Sequence, residues 1–247
     1  MKRTLAIVSA GLRLPSSTRL LADRLADAAG EELERLGSQV DIHVLEARDY
    51  AHDLVNHLMA GYPSPELQRA FDSVAAADGL IVVTPTFNAS YSGLFKMFFD
   101  CIEDTALTDK PVLIGATGGT ARHSLVLEHA LRPMFTYLHA VIVPTAVYAA
   151  TEDWGGGGDS QGSLLRRIAR AAQELAVEVH RSQPRTPWIR ITTPYRSSGC
   201  WTAREAARRR TPTASSRPMA TIPREAGWAL GHPQGNGSVP PCGRHTQ

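Results

Sequence analysis

The chain has 247 residues, with 26 Lys and Arg against 24 Asp and Glu, a length that allows one or two domains. No apolar run is long enough to cross a bilayer, and the basic start Met1-Lys2-Arg3 leads into an apolar stretch that stops at Ala10-Gly11, which excludes a signal peptide. Cys101, Cys200 and Cys242 are scattered and odd in number, matching neither a disulfide framework nor metal-ligand spacing and pointing to a reducing cytoplasm.

In chain order, a strand near 4–8 (Leu5-Ala6-Ile7-Val8) is followed by Ser9-Ala10-Gly11-Leu12-Arg13-Leu14-Pro15-Ser16-Ser17-Thr18-Arg19. An amphipathic helix near 18–36 comes next, with Leu21, Leu25, Ala28, Ala29, Leu33 and Leu36 on one face. Ser16, Ser17 and Thr18 at its start are either an ordinary N-cap or phosphate ligands, with Arg13 and Arg19 adding charge. After a strand near 40–45, the segment Arg48–Pro65 reads as a polar insertion, a lid or a subunit contact. His52 and His57 stand five apart and do not share a helix face, which argues against zinc.

A helix near 65–76 and a buried strand near 79–83 lead into Thr84-Pro85-Thr86-Phe87-Asn88-Ala89-Ser90-Tyr91-Ser92-Gly93. This polar loop at the carboxyl end of a strand is where open α/β sheets bind ligands. The next helix, near 92–104, carries Phe95, Phe98 and Phe99 with Leu94 and Ile102, read as core or as a stripe shared between subunits; Cys101 beside them reads as a small core residue. The strand near 111–116 ends in Gly115-Ala116-Thr117-Gly118-Gly119-Thr120-Ala121-Arg122-His123. Adjacent glycines there let backbone approach a ligand, and neither a G-x-G-x-x-G nor a G-x-x-x-x-G-K-[ST] pattern occurs. His123 is read either as a group at the edge of a bound ligand or as an exposed loop residue.

A helix near 124–138, a strand near 140–148 headed by a packed His139, and a helix near 161–181 complete the alternation. The glycine run after Trp154 reads as a connector or a loop closing on ligand. Five strands with intervening helices predict an α/β, doubly wound parallel sheet. Residues 183–247 lack that rhythm and carry ten Arg against two Glu, which leaves the first 182 residues at −6 within a chain of net +2. The expected division is therefore a globular domain over 1–182 and a basic Pro/Arg/Ser-rich, non-globular tail over 183–247, disordered or out of frame. The tail's charge is no argument for specific nucleic-acid binding by the domain.

The second loop resembles the flavin-facing loop of the NAD(P)H-dependent FMN reductases, P-x-Y-N-x-S-x-P-G-x-L-K-N-x-x-D. Pro85, Asn88, Ser90, Gly93, Lys96 and Asp100 are in step, and Phe87, Ser92, Phe95 and Met97 depart from it. The first loop is similar to that family's G-S-x-R-x-x-S-x-S/T phosphate loop, with Ser9 or Ala10 in place of the first Gly. The third resembles its ring-edge loop. The resemblance implies a flavodoxin-like sheet of order 2-1-3-4-5 and hydride transfer from NADPH or NADH to FMN. It further implies that Ser9, Arg13, Ser16, Ser17 and Thr18 hold the phosphate, that Pro85, Thr86, Phe87, Asn88 and Ser90 line the ring, and that Thr117, Gly118 and Gly119 meet its polar edge. No acid–base residue is expected, because the cofactor carries the chemistry. Arg13 or Arg122 could meet a 2′-phosphate. A homodimer or homotetramer, a cytoplasmic location and a flavin-dependent monooxygenase as partner are also implied, with a quinone or azo reductase and a non-enzymatic electron carrier as alternatives.

Overall fold

A computed structural model describes residues 1–154 and 159–183; the glycine run at 155–158 and the tail beyond 183 lie outside the described residues. Its central strands are buried on both faces, as near-continuous apolar runs require. In β1 (Lys2–Ser9), Ala6 and Val8 join one core while Leu5 and Ile7 join another. β3 (Gly79–Phe87) divides in the same way, Leu80 and Val82 to one side and Ile81 and Val83 to the other. α1 (Ser17–Arg35) and α6 (Asp159–Arg181) cover the Leu5/Ile7 face. α2 (Ala51–Ala60), α3 (Pro65–Ala76), α4 (Gly93–Cys101) and α5 (Arg132–Tyr137) cover the other.

The sheet runs β2 (Gln39–Glu46), β1, β3, β5 (Pro111–Gly118), β6 (Val141–Ile142), all neighbours parallel, and β7 (Val147–Ala150) also pairs parallel with β5. Taking β6 and β7 as successive parts of one fifth strand, this is the expected order 2-1-3-4-5. The expected single strand over 140–148 is broken because Pro144 has no N–H to give to β5. The next N–H, of Thr145, goes instead to the Glu174 carboxylate at 2.6 Å.

Three local expectations change. The segment read as a polar insertion forms a short 3₁₀ turn, Ala47–Tyr50, and α2, closed by a bond from Gly61 N to His57 O of 2.7 Å. Only Leu54 of α2 is fully enclosed, so the apolar signal of that helix was weak. The helix expected over 124–138 is a succession of turns: a wide stretch at Leu127–Leu131, where Arg132 N–H reaches back to Leu127 O, precedes α5. Pro133 explains this, since its ring cannot sit in a regular helix interior without displacing the carbonyl four residues earlier. His139 is exposed rather than packed, with φ of 58°, and its carbonyl accepts from Asp109 N at 2.9 Å.

Two buried cations tie the layers together. Arg3 is 1% exposed and bonds Asp78 Oδ1 at 3.3 Å, His180 O at 3.0 Å and Ser182 O at 2.6 Å, which anchors the end of α6 to β1. Lys110 Nζ donates to the carbonyls of Val74, Ala75 and Ala77 and so caps the end of α3. No helix among the described residues is long and apolar enough to cross a membrane.

Candidate functional site

β1 ends where Ser9 pairs with Val83, but β3 continues past that point to Phe87, staying beside β5 as far as Pro85. Beyond Val83, β3 is no longer paired with β1, and the carboxyl ends of β1, β3 and β5 lie side by side at one edge of the sheet, where open α/β folds form their ligand crevice. Connections leave β1 and β3 in opposite directions there, the arrangement that places ligands in open α/β sheets.

One wall is the turn from Ala10 to Ser16, held to β3 by Ala10 N donating to Val83 O at 2.9 Å. Ser16 caps α1, its hydroxyl accepting from Arg19 N at 3.1 Å. A side chain on Gly11 would place its Cβ 2.1 Å from Ser16 Oγ, so only glycine lets the turn fold against the cap. The N–H groups of Ser17 and Thr18 begin the helix, where no preceding turn supplies carbonyls, and favour an anion. Arg13 and Ser17 are exposed. Arg19 is not free for this purpose: it bonds Asp23 at 2.7 Å and Glu46 at 2.6 Å, and the Asp23 contact raises its already high pKa.

The floor is the end of β3, which extends beyond the expected 79–83 and turns back as a hairpin into β4 (Ser90–Tyr91), pairing Thr86 with Tyr91 and Phe87 with Ser90. Asn88 and Ala89 form the two-residue turn at φ of 48° and 64°, the positive values such hairpins require. Thr84 braces it: its hydroxyl accepts from Ser92 N at 3.0 Å and donates to Pro85 O at 3.0 Å. Pro85 and Thr86 are half-buried, while Phe87 is 46% exposed at the rim.

The other wall follows β5. Pro85 is in register with Thr117, and the Thr117 hydroxyl lies 2.8 Å from that of Thr18 in a buried pair. That contact joins the first and third loops directly. A Cβ on Gly118 would stand 2.1 Å from the hydroxyl of Tyr148, which donates to Thr120 O at 3.0 Å. Burial raises the pKa of Tyr148, keeping the phenol protonated as a donor. Gly119 has open space where a side chain would be.

The sequence-derived residues thus gather from three loops around one crevice, but in two layers. Ser9, Thr18 and Thr117 are buried beneath it, and Arg13, Ser17, Phe87, Asn88 and Gly119 are at its surface. Thr84 and Tyr148 were not foreseen. Thr84 carries a weak signal, a hydroxyl ahead of a proline; Tyr148 carries none, because its contact with Gly118 spans 30 positions and exists only through the β5–β7 pairing. A separate depression of about 480 Å³, lined by Asp53, Asn56, Met59 and Tyr62, contains no basic group and does not involve these loops. Among the described residues no group of His, Cys, Asp and Glu is arranged to hold a metal ion.

Residues 3–155 match the family model described as NADPH-dependent FMN reductase. The chain is 40% identical over 169 residues to an FMN reductase (NADPH) of Pseudomonas aeruginosa, covering 68% of this chain and 88% of that protein. Against an NADH-dependent FMN reductase of Pseudomonas fluorescens the identity is 37% over 178 residues, with coverage of 71% and 92%. A solved oxidoreductase structure from Corynebacterium diphtheriae is 45% identical, with a TM-score of 0.71, covering 74% of this chain and 99% of that one.

Proposed function

Because the chain belongs to the NADPH-dependent FMN reductase family, we propose that it reduces FMN with NADPH or NADH in the crevice at the ends of β1, β3 and β5. The observation that carries this reading is the convergence of the three loops, above all the Thr18–Thr117 hydroxyl pair. The donor set fits FMN. An exposed Arg13 and Ser17 and the first N–H groups of α1 suit a phosphate; a strand end with a rim aromatic suits a flat ring; and an unobstructed Gly119 lets backbone N–H groups approach a polar edge.

In this reading Arg13, Ser16, Ser17 and Thr18 hold the phosphate, and Ser9 supports the turn from below. Pro85, Thr86, Phe87, Asn88 and Ser90 carry the ring, and Thr117, Gly118 and Gly119 donate to its polar edge. When bound, the flavin supplies the redox chemistry by accepting a hydride from the nicotinamide. The chain's own contribution is to hold two planar rings at contact distance and exclude other geometries, so no general acid or base is assigned. Phe87 offers an apolar face at the rim without the hydroxyl of a tyrosine. We extend the proposal to a cytoplasmic homodimer or homotetramer that hands reduced flavin to a flavin-dependent monooxygenase.

The test is nicotinamide oxidation by the full chain with and without added FMN, after recording the visible spectrum of the purified protein. Turnover that depends on FMN is expected with at least one nucleotide. A protein that neither binds FMN nor oxidises either nucleotide would refute the assignment.

A further inference from the structure

The segment from Arg48 to Pro65 lies outside the three loops of the site, yet its first turn touches one of them. Leu12, Arg13, Leu14 and Pro15, at the tip of the turn between β1 and α1, are exposed, so packing does not hold them. What reaches the tip is Arg48, whose Nη1 donates to Arg13 O at 3.3 Å. Arg48 sits in the 3₁₀ turn Ala47–Tyr50, which the fully buried Ala47 anchors directly after β2.

Arg48 is itself fixed. Its Nη2 meets Glu46 Oε2, and the other oxygen of that carboxylate accepts from Arg19 Nη1 at 2.6 Å. Arg19 lies in the first turn of α1 and also bonds Asp23 Oδ1 at 2.7 Å. Glu46 is the last residue of β2, in register with Ser9 at the end of β1, and its side chain is 13% exposed. The tip of the turn and its helical end are thus fastened to one carboxylate, the first through Arg48 and the second through Arg19. By charge alone a carboxylate on this wall repels a phosphate. By position it does the opposite, because it fixes the backbone that presents Arg13 and the first N–H groups of α1.

We infer that Glu46 and Arg48 are positioning residues for the flavin phosphate, acting through the turn by holding the Arg13 backbone against the start of α1; this rests on the flavin reductase reading above. The planar fork of Arg48 serves a carbonyl and a carboxylate at once, a geometry that a lysine ammonium does not reproduce.

The experiment measures dissociation constants for FMN and for riboflavin, which lacks the phosphate, by quenching of flavin fluorescence in the full chain, E46Q, R48M and R48K. FMN should bind about fivefold or more weakly in E46Q and R48M, as for loss of a charge-assisted hydrogen bond, while riboflavin stays within about twofold. R48K should fall between R48M and the wild type, keeping the charge without the fork. E46Q is the decisive variant: removing a negative charge tightens FMN if the residue acts through charge and weakens it if the residue acts through position. Tighter or unchanged FMN binding in E46Q would overturn the inference, as would equal weakening of FMN and riboflavin, which marks a general loss of structure. A wild type that binds FMN no better than riboflavin would overturn it as well, although nicotinamide oxidation with FMN would then still uphold the reductase reading. A wild type that neither binds FMN nor oxidises a nicotinamide nucleotide would end both.

Discussion

At the scale of single residues, the site depends on contacts that leave no room for change. Gly118 lies against the Tyr148 hydroxyl, so G118A forces that ring away and breaks its bond to Thr120. The expected cost is about 1–3 kcal/mol, as for other overpacking changes, with a raised KM for FMN. Adding Y148F removes the 2.1 Å clash but leaves the ring carbon at 3.2 Å; denaturant melts should therefore show partial recovery of stability without recovery of the loop. Cys101 offers a pH test. Burial pushes its thiol up to about 11, and the thiolate is the reactive form. Alkylation of the native protein at pH 8 should therefore be much slower at Cys101 than at a free thiol, and should accelerate as the pH climbs towards that value. Mass spectrometry of the peptide would check it; rapid labelling at pH 8 would show the side chain to be more accessible than its packing indicates.

At the scale of elements, strong periodicity was readable and weak periodicity was not. The helix expected over 65–76 is α3, Pro65–Ala76, because a Ser64 cap, a proline in the first turn and apolar positions at three and four agree. α2 was missed since a helix that encloses one leucine has little core to report. The aromatic stripe of α4 is interior: Phe95 and Phe98 are fully enclosed and Phe99 is 4% exposed. Phe98 packs edge-on against Phe71 and Phe99, each at 5.3 Å between centroids. F98A should lower stability by about 3–5 kcal/mol, measured by urea unfolding. Because α4 starts directly after the β3–β4 hairpin, the variant should also weaken FMN binding.

At the scale of the whole molecule, the strand order is the feature that matters for function, since it sets β1 and β3 at the point where their connections diverge. The division of the chain is proposed on charge and periodicity: a catalytic unit over 1–182 at −6 and a basic segment over 183–247. A chain shortened to its first 182 residues should retain nicotinamide oxidation with FMN within about twofold, if the tail takes no part in binding. Loss of activity in a shortened protein that still folds by circular dichroism would assign the tail a role in the site.

The sequence by itself determined the alternation of strands and helices, the apolar runs that mark a doubly buried parallel sheet, and three polar loops in the right chain order. These are local signals, written in the spacing of apolar and turn-forming residues within a few positions of one another. Only the tertiary structure decided that Thr18 meets Thr117, that Tyr148 closes on Gly118, that Arg19 is taken by Asp23 and Glu46, and that the fifth strand is broken at Pro144. All but the Arg19–Asp23 pair and the break at Pro144 join positions far apart in the chain. Such contacts form when the sheet order brings strand ends together, and no periodicity along the chain encodes which strand end will be the neighbour.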